Sequence, residues 1–551
     1  MSLRTDISRA IADARDRAIR SGALSIGPEA NLPAIGLERP ANPDHGDWAS
    51  NAAMQLAPLA RAAPMRIAEM LLEHFEPPPS IATASAAAPG FINFRLDPEW
   101  IAAQVGPIRD AGAGHGKQVV DGAKRINVEF VSANPTGPLH VGNARGAFVG
   151  DVLSRVLDAA GHQVTREYYF NDFGGQVKAL GASVRALRAS EPIPEDGYRG
   201  DYVKEMAASV PEEVVRAVEA ADDDEADWIF GRWASEVQRG GIEASLASLG
   251  VAFDVWTTES SIHDEGWVAR GVEKLRQAGY VYETDGATWF RATAFGEDRD
   301  RVIYRSNGAP TYFAADIGYV SEKFSRGFDE LIYVWGENHH GAVARLMHAA
   351  EALGHDPEAV RILLYSWVRF VRDGEAVSMS KRSGEFIELD DLVHEVGTDA
   401  VRWFFSSRAF TSGIDFDLEL AKKQSNENPV YYVQYAHARA CSILRHAGEQ
   451  GITADARRAG ELLSHPSEQE LIRHLLDFPD TVAQAADRRE THDVPRYAYE
   501  LASAFSAFYR DAKVLTDDAA LSAARLALVD ATRSVLANAL GLLGITAPES
   551  M

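Results

Sequence analysis

Residues 132–148 read SANPTGPLHVGNARGAF, a loop rich in proline and glycine around a single histidine, His140. The run before the loop, INVEFV at 126–131, alternates apolar with polar residues as a strand does. After the loop, apolar residues recur at helical spacing and end at Gly161; they are Phe148, Val152, Val156 and Ala160. A second strand is predicted at QVTREYYF, 163–170. Strand, loop, helix and strand in this order predict a parallel nucleotide-binding sheet, with the loop at its ligand edge.

The rest of the chain extends this unit on both sides. Further strands are predicted at ELIYVWG (330–336) and RILLYSWVRF (361–370). A helical, charged insertion is expected over about 175–275, within an inserted region that ends near 300. We expect an α/β protein in which a Rossmann-type parallel-sheet domain with helical insertions (118–414) follows an α+β domain (1–117). An all-α bundle that is helical throughout is predicted from 415 to 551, with one apolar stripe at Tyr497, Leu501, Phe505 and Phe508.

Composition limits the class of protein. A chain of 551 residues is too long for one core, so about three or four domains are expected. The net charge of −25 argues against a nonspecific nucleic-acid binder, although a local basic surface is still compatible with it. The one cysteine, Cys441, makes a thiolate metal site improbable, and we predict no protein-bound metal. Without an apolar run of about 18 residues or a secretory signal, we expect a cytoplasmic protein with no membrane partner.

A second loop, SMSKRSG at 378–384, places two cations after the strand 361–370. At the ligand edge of a parallel sheet, glycine lets the backbone approach a phosphate, and a histidine at a helix N-terminus can donate to one. Each loop also has an ordinary interpretation: His140 as a satisfied loop histidine, and the basic loop as solvated surface. Two such loops about 240 residues apart favour a shared nucleotide site over either.

These residues resemble a known family. HVGN (140–143) and SMSKR (378–382) are similar to the two signature elements of class I aminoacyl-tRNA synthetases, although Asn143 replaces a histidine and Ser378 a lysine. The chain resembles the bacterial arginyl-tRNA synthetases in particular over nearly its whole length. The stretches that carry this resemblance are VEFVSANPTGPLHVGNARGA, GYRGDY (197–202), TYFAADIGY (311–319), VWGENHHG (334–341), MSKRSGEFIELDDLVHEVGTDAVRWFF, NPVYYVQYAHARACSIL and, near the N-terminus, NPDHGDWASNAAMQLA and APGFINFRL.

The resemblance implies ATP-dependent attachment of L-arginine to tRNA(Arg) through an arginyl-adenylate, with Mg²⁺ accompanying ATP. Catalytic roles are implied for His140, Asn143, Lys381 and Arg382, and ATP contacts for Gly137, His140, Gly142, Asn143, Met379 and Lys381. Arginine contacts are implied for Glu129, Asn134, Tyr312, Asp316 and His339, with Asn338 as an alternative to His339. Carboxylates suit a guanidinium because they accept its paired donors. For Asp316 the alternative is a carboxylate that only interacts with the dipole of its helix.

For tRNA, the resemblance implies anticodon contacts in the C-terminal bundle and elbow contacts in the N-terminal domain. The candidates are Asn93, Tyr432, Gln434, Tyr435 and His437, with the last four expected on an exposed helix face; the alternative is that these residues belong to the core. We expect a monomer. Two alternatives stay open: another class I synthetase, such as a glutamyl or cysteinyl enzyme, and a nucleotide-binding paralogue that binds tRNA without charging it.

Overall fold

The structure is a computed structural model that describes residues 3–120, 122–372, 374–376 and 388–551. Its N-terminal part combines helices with a three-stranded antiparallel sheet of order β1-β3-β2. The strand predicted at 90–96 is present as β3, and its alternate residues Ile92, Phe94 and Leu96 are buried. The elements are α1 (Leu3–Arg20), β1 (Trp48–Ser50), α2 (Ala52–Ala60), α3 (Pro64–Glu73), β2 (Ile81–Ala87), β3 (Phe91–Leu96), α4 (Pro98–Ala103) and α5 (Val105–Ala111).

The central part contains the predicted parallel sheet and a long insertion between its strands. Its elements are β4 (Arg125–Phe130), α6 (Val141–Ala159), β5 (Gln163–Phe170), α7 (Gly175–Arg188), α8 (Asp201–Ser209), α9 (Glu212–Glu219), α10 (Asp223–Ser248), β6 (Val255–Thr258), α11 (Glu259–Asp264), α12 (Trp267–Gln277), β7 (Val281–Thr284), β8 (Ala287–Phe290), β9 (Arg301–Tyr304), α13 (Tyr312–Ser325), β10 (Glu330–Gly336), α14 (His340–Ala352), β11 (Val360–Tyr365), β12 (Val368–Arg372) and β13 (Glu375–Ala376).

Five strands form the parallel sheet, in the order β11-β10-β4-β5-β6. Strand order reverses between β4 and β10, which pair from Ile126–Glu330 to Phe130–Val334. Ligands of such sheets bind beyond the carboxyl ends of the two strands at this switch point. Helix α6 packs closely on β4, because a Cβ added at Gly150 would lie 2.2 Å from the Phe130 ring. The predicted Rossmann-type α/β fold is therefore confirmed.

Two expectations about this region are wrong in detail. The segment 361–370 is two strands: β11 ends at Tyr365, and β12 belongs to a separate sheet of order β13-β12-β14. After the stretch predicted to be helical, β7, β8 and β9 form an antiparallel sheet that the sequence analysis did not predict. Within the predicted insertion, β6 is the edge strand of the parallel sheet. Short strands of four residues carry too little periodicity to be recognised from sequence alone.

The C-terminal part is a helix bundle, as predicted, and the stripe of Tyr497, Leu501, Phe505 and Phe508 is buried in it. The expectation of helix throughout is wrong at its start, because β14 pairs in parallel with β12. No helix of the described residues is long and apolar enough to span a membrane. The elements after residue 388, of which the first two precede the bundle, are α15 (Leu389–Val396), α16 (Thr398–Ser406), β14 (Ile414–Asp417), α17 (Leu418–Lys422), α18 (Pro429–Glu449), α19 (Ala459–Leu462), α20 (Pro466–Arg488), α21 (Asp493–Asp511) and α22 (Ala519–Leu542).

Candidate active site

A cleft of about 1360 Å³ opens at the switch point of the parallel sheet. Its floor is the loop that follows β4, and its walls come from the ends of β10 and β11 and from the insertion. Segments far apart in sequence meet here because the carboxyl ends of parallel strands share one edge of the sheet. The described lining includes residues of the segments 131–143, 195–202, 333–339 and 365–368, together with Glu129, Arg145, Asp316 and Glu388.

His140 is the N-cap of α6, and its backbone N–H donates to Oδ1 of Asn143 at 3.2 Å. The Asn143 side chain thus helps to hold the turn that presents His140. Gly142 is exposed, and a Cβ there would lie 2.8 Å from Cε1 and Nδ1 of the His140 ring. Only glycine at 142 leaves room for this ring position. His140, Gly142, Asn143 and Gly137 all line the cleft, as the sequence predicted.

The second signature loop lies outside the described residues, and with it Met379, Lys381 and Arg382. The structure does describe where the chain continues after it. Glu388 forms a β-bridge with His140, and the N–H of Leu389 donates to the carbonyl of Leu139 at 2.9 Å. The chain at 388–389 is therefore attached to the histidine loop.

Two predicted arginine-binding acids, Glu129 and Asp316, line the cleft. Glu129 is buried and already accepts a 2.6 Å hydrogen bond from Nζ of Lys323. Burial nevertheless raises the pKa of Glu129, against the opposing effect of Lys323. Glu129 is therefore a paired acid and not a free one, a point that the sequence alone did not indicate.

Asp316 lies one turn into α13 with about a third of its side chain exposed to the cleft. Burial among protein groups raises its pKa to about 7; Arg345, whose Nη2 is 3.8 Å away, opposes the shift, and Glu259 and Glu129 add to it. Glu259 was missed from sequence. It is buried at the start of α11, and after burial itself it is the largest cause that raises the pKa of Tyr169. A cation entering here would relieve the repulsion among Asp316, Glu259 and Glu129.

The other predicted arginine contacts lie at different positions relative to the cleft. Asn134 is exposed in the cleft, and His339 lines it with a pKa lowered by burial. Asn338 lines it as well. Tyr312 is the first residue of α13, one turn before Asp316, but its side chain is 64% exposed and outside the described lining of the cleft. The expected helix start at Thr311 is confirmed.

Backbone geometry at the end of β4 is unusual. Val131 and Ser132 both have positive φ, 65° and 40°, although neither is glycine. A β-branched residue in this region is strained, at a cost on the order of 1–3 kcal/mol. The turn lets Ser132 Oγ donate to Glu129 and accept from the N–H of Tyr169. The strain thus organises the acidic side of the cleft.

Arg145 is a second residue that sequence reasoning missed. It lies on α6, is fully buried, and donates to the carbonyls of Ser366, Trp367 and Ala409. Burial lowers its pKa to about 10. Its guanidinium fixes the break between β11 and β12 beside the nucleotide loop, and the alternation of the 361–370 segment concealed that break.

The predicted tRNA contacts are only partly exposed. The expected exposure of Gln434 and His437 is wrong, and the alternative that they belong to the core is confirmed: both are buried where they hold the C-terminal tail. Nε2 of Gln434 donates to Asp399 and to the carbonyl of Thr546, while Nδ1 of His437 contacts the carbonyl of Pro548 at 2.8 Å. Tyr432, Tyr435 and Asn93 are half-buried. Within the described residues, no group of three or more His, Cys, Asp or Glu side chains is arranged to hold a metal ion.

Comparison with known proteins adds independent support. The family model for the class I (R) tRNA synthetase catalytic domain matches residues 111–405. An arginine–tRNA ligase of Desulfitobacterium hafniense is 46% identical over 560 residues, covering 100% of this chain and 99% of that protein. The chain belongs to the arginyl-tRNA synthetase family. The resemblance carried by the sequence motifs is thereby confirmed.

Further matches cover the flanking regions. The arginyl-tRNA synthetase N-terminal domain model matches residues 1–96, and the DALR anticodon-binding domain model matches 433–551. An arginine–tRNA ligase of Moorella thermoacetica is 45% identical, with 99% of this chain and 98% of that protein covered. The arginyl-tRNA synthetase of Thermus thermophilus has the same fold, with a TM-score of 0.80, 25% identity and 100% coverage of both chains.

Proposed function

We propose that this enzyme ligates L-arginine to tRNA(Arg) with ATP, through an arginyl-adenylate, in the cleft at the switch point. One observation carries the proposal: Glu129 and Asp316 line the cleft beside the nucleotide loop of a class I synthetase domain, and buried Glu259 is close enough to Asp316 to raise its pKa. A carboxylate cluster selects a cationic amino acid, and the loop at a helix N-terminus suits phosphates. A glutamyl enzyme would need cations where these acids stand.

On the ATP side, His140 contacts a phosphate, and Gly137 and Gly142 let the backbone approach it. Asn143 holds the turn that presents His140. Lys381 and Arg382 neutralise the departing pyrophosphate, with Met379 packing against the nucleotide. Mg²⁺ arrives on the ATP phosphates with its own water, since Mg²⁺ sites of this kind use few protein ligands. Both signature loops thus stabilise charge that develops in the transition state.

On the arginine side, Asp316 attracts the positive groups, with Glu259 adding negative charge near it, while Lys323 favours the ionised form of Glu129 and holds it in place. Asn134 and His339 contact the substrate from the two flanking loops. Tyr312 covers the entrance, since it lies one turn before Asp316 on the same helix. Together these groups align the arginine carboxylate with the α-phosphate of ATP, which is where such an enzyme gains most of its rate.

For tRNA, the bundle beginning at 415 reads the anticodon, and the domain ending at 117 contacts the elbow. Tyr432, Tyr435 and Asn93 remain the candidates for these contacts, whereas Gln434 and His437 instead hold the C-terminal tail. The enzyme acts as a monomer in the cytoplasm.

Charging assays test this proposal. Purified enzyme, total tRNA, ATP and Mg²⁺ are incubated with each of the twenty amino acids in turn. Only arginine should be attached, and Lys381→Ala should lower kcat by roughly 10²-fold or more, the scale of one electrostatic contact in the transition state. Charging of another amino acid, or of none, would refute the proposal; the second outcome would favour a paralogue that only binds tRNA.

A further inference from the structure

The part of the cleft lining that the structure describes is acidic, which by itself disfavours a triphosphate. Among the described residues it includes six carboxylates but only two arginines, Arg145 and Arg199. Arg145 is buried, and its Nη1 and Nη2 donate to backbone carbonyls. Arg199 is therefore the remaining permanent cation in this part of the lining, and it lies on the insertion loop 195–202.

The guanidinium of Arg199 is available to a ligand. It is exposed, and it forms no ion pair with the residues that the structure describes. Its hydrogen bond to the carbonyl of Pro194 is long, at 3.4 Å. A cation in a cleft without a carboxylate partner is well suited to a phosphate oxygen, which arginine binds with two parallel donors.

The loop that carries Arg199 is fixed on both sides of it. On one side, the N–H of Tyr198 donates to Oγ of Ser183 on α7 at 2.8 Å. On the other, the hydroxyl of Tyr202 donates to the carbonyl of Thr136 in the nucleotide loop at 2.8 Å. Gly200 between them has φ of 149°, which a residue with a side chain rarely adopts. The insertion is thus attached directly to the loop that contains His140.

We propose that Arg199 contacts a phosphate of a substrate in this cleft, either the triphosphate of ATP or a phosphodiester at the 3′ end of the tRNA. This rests on the proposed function and adds a residue to it. The insertion is then not only a spacer between β5 and β6: it supplies a positive group on the nucleotide side of the cleft, beside the acidic lining that the structure describes.

Steady-state aminoacylation by Arg199→Ala and Arg199→Lys, with ATP, tRNA and arginine each varied, tests the contact. Arg216→Ala is a matched control, because Arg216 is also an exposed insertion arginine with one 3.4 Å hydrogen bond to a carbonyl, but it is outside the cleft lining. Arg199→Ala should raise one KM roughly tenfold, the scale of a lost charge-assisted hydrogen bond. Lysine should restore part of the loss, since it keeps the charge without the paired donors.

The affected substrate identifies the source of the phosphate. A raised KM for ATP assigns the contact to the triphosphate, and a raised KM for tRNA with an unchanged KM for ATP assigns it to the acceptor end. KM values of Arg199→Ala for ATP and for tRNA that are within about twofold of those of wild type and of Arg216→Ala would overturn the inference. So would a rise confined to the arginine KM, or a loss of kcat that lysine does not restore. Charging of tRNA(Arg) by the wild type in the same assay keeps failure of this inference distinct from failure of the proposed function.

Discussion

At the scale of single residues, Asp316 makes arginine binding depend on pH. Its pKa of about 7 in the empty cleft should fall when a positive guanidinium or ammonium group binds beside it. Binding then expels a proton, so affinity increases as pH rises. We predict that the arginine KM of the wild type increases as pH falls from 8 to 6, by at most about tenfold per unit below 7. Steady-state charging over this pH range measures it.

Asp316→Asn should remove this pH dependence and raise the arginine KM by at least about tenfold, as expected for loss of a charge-assisted hydrogen bond. It should also weaken discrimination against citrulline, which is neutral and has a carbonyl oxygen in place of an NH₂. The KM for ATP should change much less and is the internal control. An arginine KM that is flat with pH in the wild type and equal in the variant would leave Asp316 as a helix-terminal acid only.

At the scale of elements, the first turn of α6 depends on a glycine for its chemistry. Ala at 142 would place its Cβ about 2.8 Å from the His140 ring, which would have to move from its present position. We predict that Gly142→Ala lowers kcat at least about tenfold, since the phosphate contact is lost in the transition state. Its thermal stability should change little. Steady-state kinetics and a melting curve on the same preparation give both values.

Gly341 offers a matched control for this substitution. It is also the second residue of a helix beside the cleft, α14, and a Cβ there would meet no atom within 4 Å. Gly341→Ala should leave kcat within about twofold of wild type. If the two alanine variants lose equal activity, the effect belongs to helix termini in general and not to the position of His140.

At the scale of the whole molecule, a buried ion pair joins the parallel sheet to the C-terminal bundle. Glu330 at the start of β10 accepts hydrogen bonds from Arg489 just after α20, with a shortest distance of 2.6 Å. Burial alone would raise the pKa of Glu330, but Arg489, Lys124 and Arg361 together lower it below its ordinary 4.5. Strand β10 thus contacts the bundle at one end and the cleft at the other.

We predict that Arg489→Met lowers the free energy of unfolding by about 1.5–3 kcal/mol. This is less than the cost of leaving a buried carboxylate without any partner, because Lys124 and Arg361 still reach Glu330. The folded pKa of Glu330 is depressed, so this contribution is fully present above about pH 4.5 and is lost as pH falls through the lower folded value. The loss of this stabilisation is measured as the change in the urea midpoint of the first unfolding transition between pH 7 and pH 3. A double-mutant cycle with Glu330→Gln isolates the pair, and additive effects would contradict the coupling.

The sequence by itself determined the elements whose pattern is local. Hydrophobic periodicity and turn residues predict the strands at 163–170 and 330–336. They also predict the stripes of buried residues on α6 and α21. Because ligands of parallel sheets bind beyond the carboxyl ends of the strands, these elements also placed the loop of His140 at the ligand edge. The family motifs then named the chemistry expected there.

Only the tertiary structure decided which charges meet. Lys323 lies 194 positions from its partner Glu129, Tyr202 reaches Thr136 from the insertion, and Gln434 is buried by the C-terminal tail. The division of 361–370 between two sheets likewise depends on pairing with β14 about 45 residues later. Periodicity along a chain indicates which face of an element is apolar. It does not record which distant group covers that face, because such contacts depend on packing in three dimensions.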